Sequence, residues 1–194
     1  NLYVMNIASG KEIQITHDGG NNIKYGMAEF VAQEEMDRMT GYWWSPDETK
    51  IAFTKVDLSP VGVITRSEIY ADSIKMIEQR YPRAGTANVL IDLAIHHLES
   101  RKTDWVDLGK DKDVYFARGN WMPDNRHFTY QWQTRNQQIL KLKSVDSQTG
   151  NQTEILEEKS NTWINLHNDL YFLKNTEQFL WLSEKDGFKH IYLH

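Results

Sequence analysis

Residues 42–57 read YWWSPDETKIAFTKVD, and residues 119–133 read GNWMPDNRHFTYQWQ. Both stretches place aromatic residues before a Pro-Asp pair and an apolar run after it. Proline presets φ for a turn and aspartate caps the turn backbone, so each copy predicts two strands joined by a tight connection. Residues 161–175, NTWINLHNDLYFLKN, form a looser copy that lacks the Pro-Asp pair.

Alternating apolar and polar residues flank a turn in three further segments, which predicts three hairpins. The segments are residues 2–16 with a Ser-Gly turn, residues 91–109 with a turn near Ser100, and residues 139–158 with a turn at Thr149-Gly150. Residues 57–90 break the pattern and predict an extended loop or an extra hairpin.

Self-similarity at a period of about 40–50 residues is typical of a β-propeller, in which each blade is a four-stranded sheet. The chain holds about three to four blade equivalents, and a closed ring needs more than that. The predicted fold class is therefore all-β, a partial β-propeller with a short helical insertion. A complete β-sandwich of short strands is the alternative.

Composition removes several kinds of site. The 194 residues include no cysteine, which excludes disulfides and thiolate metal sites, and the net charge of −5 argues against a nucleic-acid partner. No apolar run approaches the roughly 20 residues that a membrane span needs. A Gly-x-Ser-x-Gly elbow and a His-Glu-x-x-His motif are both missing, so neither a catalytic nor a metal-binding residue is predicted within this chain, and no cofactor.

Residues 28–39, AEFVAQEEMDRM, predict a helix of about three turns that carries two adjacent acids, Glu34 and Glu35. One interpretation is a solvated surface helix on which Glu34 pairs with Arg38 four residues later. The other starts from the mutual repulsion of the two carboxylates, which a bound cation relieves. A primary ammonium has three N–H donors and can bind two carboxylates at once, so the free amino terminus of a peptide is a suitable ligand.

Three ordered motifs resemble the amino-terminal propeller domain of the dipeptidyl peptidase IV family of serine peptidases. The first is residues 28–53, with Phe-Val, Glu-Glu and Trp-Trp-Ser-Pro in the family's order. The second is YPRAGTANV at 81–89, and the third is SEKDGFKHIYL at 183–193. Together they span most of the chain.

The resemblance implies that residues 1–194 are part of an eight-bladed propeller whose parent protein also carries an α/β-hydrolase domain with a Ser-Asp-His triad. Family members remove dipeptides from free amino termini, with Pro or Ala preferred second, and their Glu pair binds the substrate ammonium. The matching positions here are Glu34 and Glu35. The triad has no counterpart in this chain, so catalysis is expected from the hydrolase domain of the same polypeptide.

The resemblance carries further expectations about partners and location. Peptides with a free amino terminus are the expected substrates, a homodimer is the expected assembly, and residues 57–90 are a candidate dimer arm. A periplasmic or secreted location is expected. The family places an aromatic-basic pair near the substrate where this chain has Leu166-His167, so that contact is not carried over.

Three alternatives stay open. The parent can be a propeller that binds proteins or peptides without catalysis, because some family members have lost the catalytic serine. It can be a tripeptidyl peptidase of the same family, which also uses a Glu-based amine anchor. Lastly, the propeller can be purely structural, with Glu34 and Glu35 solvated.

Overall fold

The chain folds almost entirely into short β-strands, and the computed structural model describes residues 1–174 and 176–194. Sixteen strands and one helix, α1, lie within these described residues. Helix α1 spans Phe30–Glu35. The strands are β1 Tyr3–Met5, β2 Glu12–Gln14, β3 Ile23–Tyr25, β4 Tyr42–Trp44, β5 Lys50–Asp57, β6 Val63–Ile69, β7 Ile74–Arg80, β8 Leu90–His97, β9 Thr103–Val106, β10 Val114–Trp121, β11 His127–Thr134, β12 Ile139–Asp146, β13 Gln152–Lys159, β14 Tyr171–Phe172, β15 Phe179–Ser183 and β16 His190–Leu193.

The strands form separate antiparallel sheets that follow one another along the chain. Strands β10-β11-β12-β13 make a four-stranded meander. Before it lies a sheet in the order β3-β5-β8-β9, with β4 also paired to β5, and after it lies the three-stranded sheet β14-β15-β16. With the β1-β2 hairpin, this is the arrangement of a partial propeller, and the prediction of an all-β chain with a short helical insertion is confirmed.

The two Pro-Asp copies form the same turn. The Ser45 N–H donates to the Lys50 carbonyl at 2.9 Å, and the equivalent bond in the second copy is 2.8 Å long. Glu48 and Asn125 occupy the same position of the two turns in the left-handed region, with φ of 57° and 59°. The repeat read from the sequence is therefore a repeat of backbone conformation.

The looser copy at 161–175 does not form this unit. Trp163 lies outside the strands and is 61% exposed, and only Tyr171–Phe172 of the segment is a strand. The last residue of the copy, Asn175, lies outside the described residues. Without the Pro-Asp pair nothing presets the tight turn, so the segment runs as an irregular connection between β13 and β14.

Aromatic rings join the two central sheets. The Trp43 ring lies 5.5 Å from the rings of both Phe116 and Phe128, measured between centroids. The Trp121 Nε1–H donates to the Trp43 carbonyl at 2.9 Å. Trp43 and Trp121 thus pack between the two central sheets, whereas Trp105 is 52% exposed.

Residues 57–90 contain an extra hairpin, one of the two predicted forms. Strands β6 and β7 pair from Val63↔Arg80 to Ile69↔Ile74 and form a two-stranded sheet of their own. Apolar side chains on it are exposed, with Ile69 at 79%. Exposed apolar side chains that lie together on a protruding hairpin favour association with another molecule.

Candidate functional site

The candidate site is built on an interruption of one strand. Strand β3 pairs with residues 55–57 of β5, and β4 pairs with residues 51–53 of the same strand. Residues 26–41 leave the sheet between β3 and β4 and return to the same edge. The base is closed because the Gly41 N–H donates to the Gly26 carbonyl at 3.2 Å, and the Thr54 N–H donates to the Gly41 carbonyl at 2.8 Å. The insertion is thus fixed to a central strand.

Only glycine fits at position 41, because the backbone at the base of the insertion leaves no room for a side chain there. A Cβ at position 41 would lie 2.5 Å from the Met27 carbonyl oxygen and closer still to Thr54 Oγ1. We expect Gly41→Ala to weaken the closure by about 1–3 kcal/mol, because the backbone has to shift. Amide hydrogen exchange of residues 26–41 in the full-length protein measures this as faster exchange.

Gly62→Ala is the matched control, because no heavy atom lies within 4 Å of a Cβ built there. Its exchange should stay within error of wild type. Equal protection in Gly41→Ala and Gly62→Ala would show that the close backbone contacts at Gly41 do not hold the insertion closed.

Helix α1 is shorter than the three turns predicted for residues 28–39. It ends at Glu35, and Asp37 then adopts the left-handed region with φ of 58°. Aspartate tolerates this conformation. The Arg38 N–H turns back to donate to the Ala32 carbonyl at 3.0 Å, and this ends the helix. Glu34 and Glu35 are therefore its last two residues.

Small side chains seat the helix on the neighbouring sheet. Ala28, Ala32 and Met36 are buried in one cluster with Tyr115 and Ala117 of β10. Because alanine lets the helix backbone come close to the strand, the packing leaves little room for tilting. The position of the Glu pair is thus set by β10 as well as by the strand that carries the insertion.

Arg38 is buried and pairs with Glu29, so the predicted surface pair between Glu34 and Arg38 is wrong. The Arg38 Nη2 to Glu29 Oε2 distance is 2.5 Å, and the two side chains are 5% and 1% exposed. The same Nη2 donates to the Phe116 carbonyl at 3.2 Å, and Nη1 donates to the Thr40 carbonyl at 3.0 Å. The guanidinium therefore ties both ends of the insertion to β10.

Both acids of the predicted site are exposed at the end of α1. Glu35 lines a cavity of about 470 Å³ between α1, β10 and the connection after β13, and Glu34 is not among its lining residues. Val31, one helical turn before Glu35, lines the same cavity. The structure brings Glu35 to a cavity wall and leaves Glu34 beside it on the adjacent helical position.

Arg118 of β10 faces the same cavity and was missed by sequence reasoning. Burial, and then the positive charge of Arg38, lower the pKa of Arg118, whereas Asp37 acts to raise it. The sequence offers no signal for this residue, because its place depends on the contact between β10 and the insertion.

Leu166 and His167 point to different places. Leu166 lines the cavity with Glu35, whereas His167 is buried, and its ring meets the Trp181 ring at 4.4 Å between centroids. Burial lowers the pKa of His167, which favours the neutral ring. The contact between His167 and Trp181 holds the loop after Trp163 in place.

The comparison with protein families gives one match over the whole chain. The model of the dipeptidyl peptidase IV (DPP IV) N-terminal region matches residues 1–194. This chain belongs to the dipeptidyl peptidase IV family. The resemblance read from the three motifs is thereby confirmed.

Relatives in this family share about a quarter of their residues with the chain. Human dipeptidyl peptidase 8 is 27% identical, over 98% of this chain and 27% of its own length. Rat inactive dipeptidyl peptidase 10 is 28% identical, over 98% of this chain and 26% of its own length. The crystal structure of Porphyromonas gingivalis dipeptidyl peptidase 4 superposes with a TM-score of 0.91 at 27% identity, covering 99% of this chain and 28% of that chain.

The chain thus spans about a quarter of the length of these relatives. Among the described residues, no helix is long and apolar enough to cross a membrane. Within the same residues, no group of three or more His, Asp or Glu side chains is placed to hold a metal ion.

Proposed function

We propose that this chain is the substrate-recognition part of a serine exopeptidase that releases Xaa-Pro and Xaa-Ala dipeptides. Glu34 and Glu35 bind the free amino terminus of the peptide. The observation that supports this is the insertion itself, which presents two exposed carboxylates on a helix anchored to two sheets. The named activity of the relatives, dipeptidyl peptidase, supports the reaction class.

An ammonium ion is the ligand that fits a pair of adjacent carboxylates. It offsets their repulsion and donates charge-assisted hydrogen bonds to both. An acylated amino terminus has no positive charge and leaves the repulsion in place. Binding the amine at a fixed point also sets how many residues reach the nucleophile, which makes the enzyme an exopeptidase.

The remaining partners follow from the same proposal. The Ser-Asp-His triad belongs to a hydrolase domain of the same polypeptide, and the parent protein acts in the periplasm or is secreted. The parent forms a homodimer, and the β6–β7 arm is a candidate for part of its interface. Support for the arm comes from its exposed apolar side chains, Ile69, Ile74 and Met76.

A non-catalytic binding module is the second candidate function. It is favoured by the rat relative, whose name describes it as inactive and whose identity to this chain, 28%, is as high as that of the human peptidase, 27%. In such a protein the Glu pair still binds a peptide amine, but no bond is cut. A tripeptidyl peptidase is a third candidate and differs in the distance from the amine to the cleaved bond.

The experiment uses the full-length protein and a synthetic peptide with Pro at its second position, in free-amine and acetylated forms. Mass spectrometry of the products identifies the first fragment released. A dipeptide from the free-amine peptide alone is the expected result. Release of a tripeptide would favour the third candidate, and binding without cleavage would favour the module.

A further inference from the structure

Strand β10 contains a bulge at the point where it meets the insertion. Its pairing with β11 shifts register between Phe116 and Arg118, which leaves Ala117 as the extra residue. A bulge redirects the side chains around it, and bulges are common beside active sites. Ala117 packs under α1, and Arg118 is directed to the cavity that Glu35 lines.

The Arg118 guanidinium makes a single hydrogen bond with the described residues. Its Nη1 donates to the Ala117 carbonyl at 3.0 Å, and its Nε is buried with no hydrogen-bond partner among them. The nearby Arg38 is neutralised by Glu29, whereas no carboxylate of the described chain lies within salt-bridge distance of Arg118. The buried Nε is out of a ligand's reach, but Nη2 and the second N–H of Nη1 make no hydrogen bond with the described residues, so a ligand that supplies acceptor oxygens can bind them.

The lining of the cavity therefore carries charges of both signs. Glu35 and Asp37 provide negative charge, and Arg118 provides positive charge with free donors. Trp163, Leu166 and Val31 add apolar side chains to the lining. A volume of about 470 Å³ is in the range of small-ligand sites and is large enough for one amino-acid residue.

We propose that Arg118 reads the side chain of the first residue of the substrate and favours one that carries a carboxylate or an amide oxygen. This inference rests on the proposed function, because the substrate amine at Glu35 brings that side chain into the cavity. The ammonium and the first side chain leave the same Cα, so an amine bound at Glu35 places the side chain in the cavity that Arg118 also lines. Guanidinium to carboxylate is the strongest such pairing, since both N–H donors of its fork can be used.

The test compares four chromogenic dipeptide substrates, Glu-Pro, Gln-Pro, Leu-Pro and Lys-Pro, with the full-length protein. Wild type should cleave Glu-Pro with a kcat/KM at least about tenfold above Lys-Pro, as charge-assisted hydrogen bonding predicts. Arg118→Gln should lower kcat/KM for Glu-Pro about 10- to 100-fold and for Leu-Pro less than about threefold. Arg118→Lys keeps the charge without the fork and should fall between the two.

Arg101→Gln is the matched control, because it removes an exposed arginine from the β8–β9 turn. It should leave all four rates unchanged. Equal loss on all four substrates in Arg118→Gln would show a structural role and overturn the proposal, and so would an unchanged Glu-Pro to Lys-Pro ratio. If Arg118→Gln fails to fold, the ratio in Arg118→Lys decides the question.

Glu35→Gln separates this proposal from the function on which it rests. It should lower all four rates by a similar factor while leaving the Glu-Pro preference in place. Unchanged rates in Glu35→Gln would refute the amine anchor but not the preference set by Arg118. If wild type cleaves none of the four substrates, the proposed function and this inference both fail.

Discussion

Replacing Arg38 with methionine should lower the free energy that holds the insertion closed by about 3–5 kcal/mol. The reason is that Glu29, only 1% exposed, would keep its carboxylate without the guanidinium that neutralises it. The contacts from Arg38 to the Phe116 and Thr40 carbonyls would be lost as well. Amide hydrogen exchange of residues 26–41 in the full-length protein reports this loss as local opening.

Two further variants show whether charge burial is the cause. Arg66→Met removes an exposed ion pair with Glu68, 3.1 Å long, and should cost less than about 1 kcal/mol. The double variant Glu29→Leu, Arg38→Met removes both buried charges and should be more stable than Arg38→Met alone. If amide hydrogen exchange in Arg38→Met equals that of wild type, Arg38 does not hold the insertion against β10.

Neutralising either acid of the pair should have the largest effect on activity. For Glu34→Gln and for Glu35→Gln in the full-length protein, we expect kcat/KM on a free-amine Ala-Pro substrate to fall roughly 30- to 4,000-fold. This corresponds to a loss of about 2–5 kcal/mol of transition-state binding free energy. Glutamine keeps the shape and the acceptor oxygen but removes the charge that attracts the ammonium. Steady-state kinetics at neutral pH measures the effect.

The exposure of both acids in the described chain argues for the lower part of that range, because water screens an exposed pair. Glu99→Gln, in the exposed β8–β9 turn, is the control and should leave kcat/KM unchanged. Losses of the same size in Glu99→Gln would mean that net charge, rather than the anchor, governs the rate.

The sequence predicted the blades because turn chemistry is local. The Pro-Asp turns at 45–49 and 122–126 take the same left-handed position at Glu48 and Asn125, and their strands follow from alternation. Hairpins β1–β2, β8–β9 and β12–β13 are found where the alternating segments placed them. The extra hairpin at residues 57–90 was also within reach, as a break in the repeat.

The site was harder to predict, because its geometry depends on contacts far apart in sequence. Local periodicity placed a helix over residues 28–39 and paired Glu34 with Arg38. Arg38 instead finds its partners at Glu29 and at the Phe116 carbonyl, 78 positions away, and this draws the chain out of the helix at Asp37. Arg118 could not be found either, since nothing in its neighbourhood marks the bulge in β10.

Binding of the substrate ammonium by Glu34 and Glu35 can be tested by a ratio of two rate constants. The measurement is kcat/KM for free-amine Ala-Pro substrate divided by kcat/KM for its acetylated form, in wild type, Glu34→Gln and Glu35→Gln. A variant that only perturbs folding lowers both rates and leaves the ratio intact. We predict a high ratio in wild type that falls toward one in both variants. A ratio that stays at the wild-type value when either charge is removed would show that the Glu pair does not bind the ammonium.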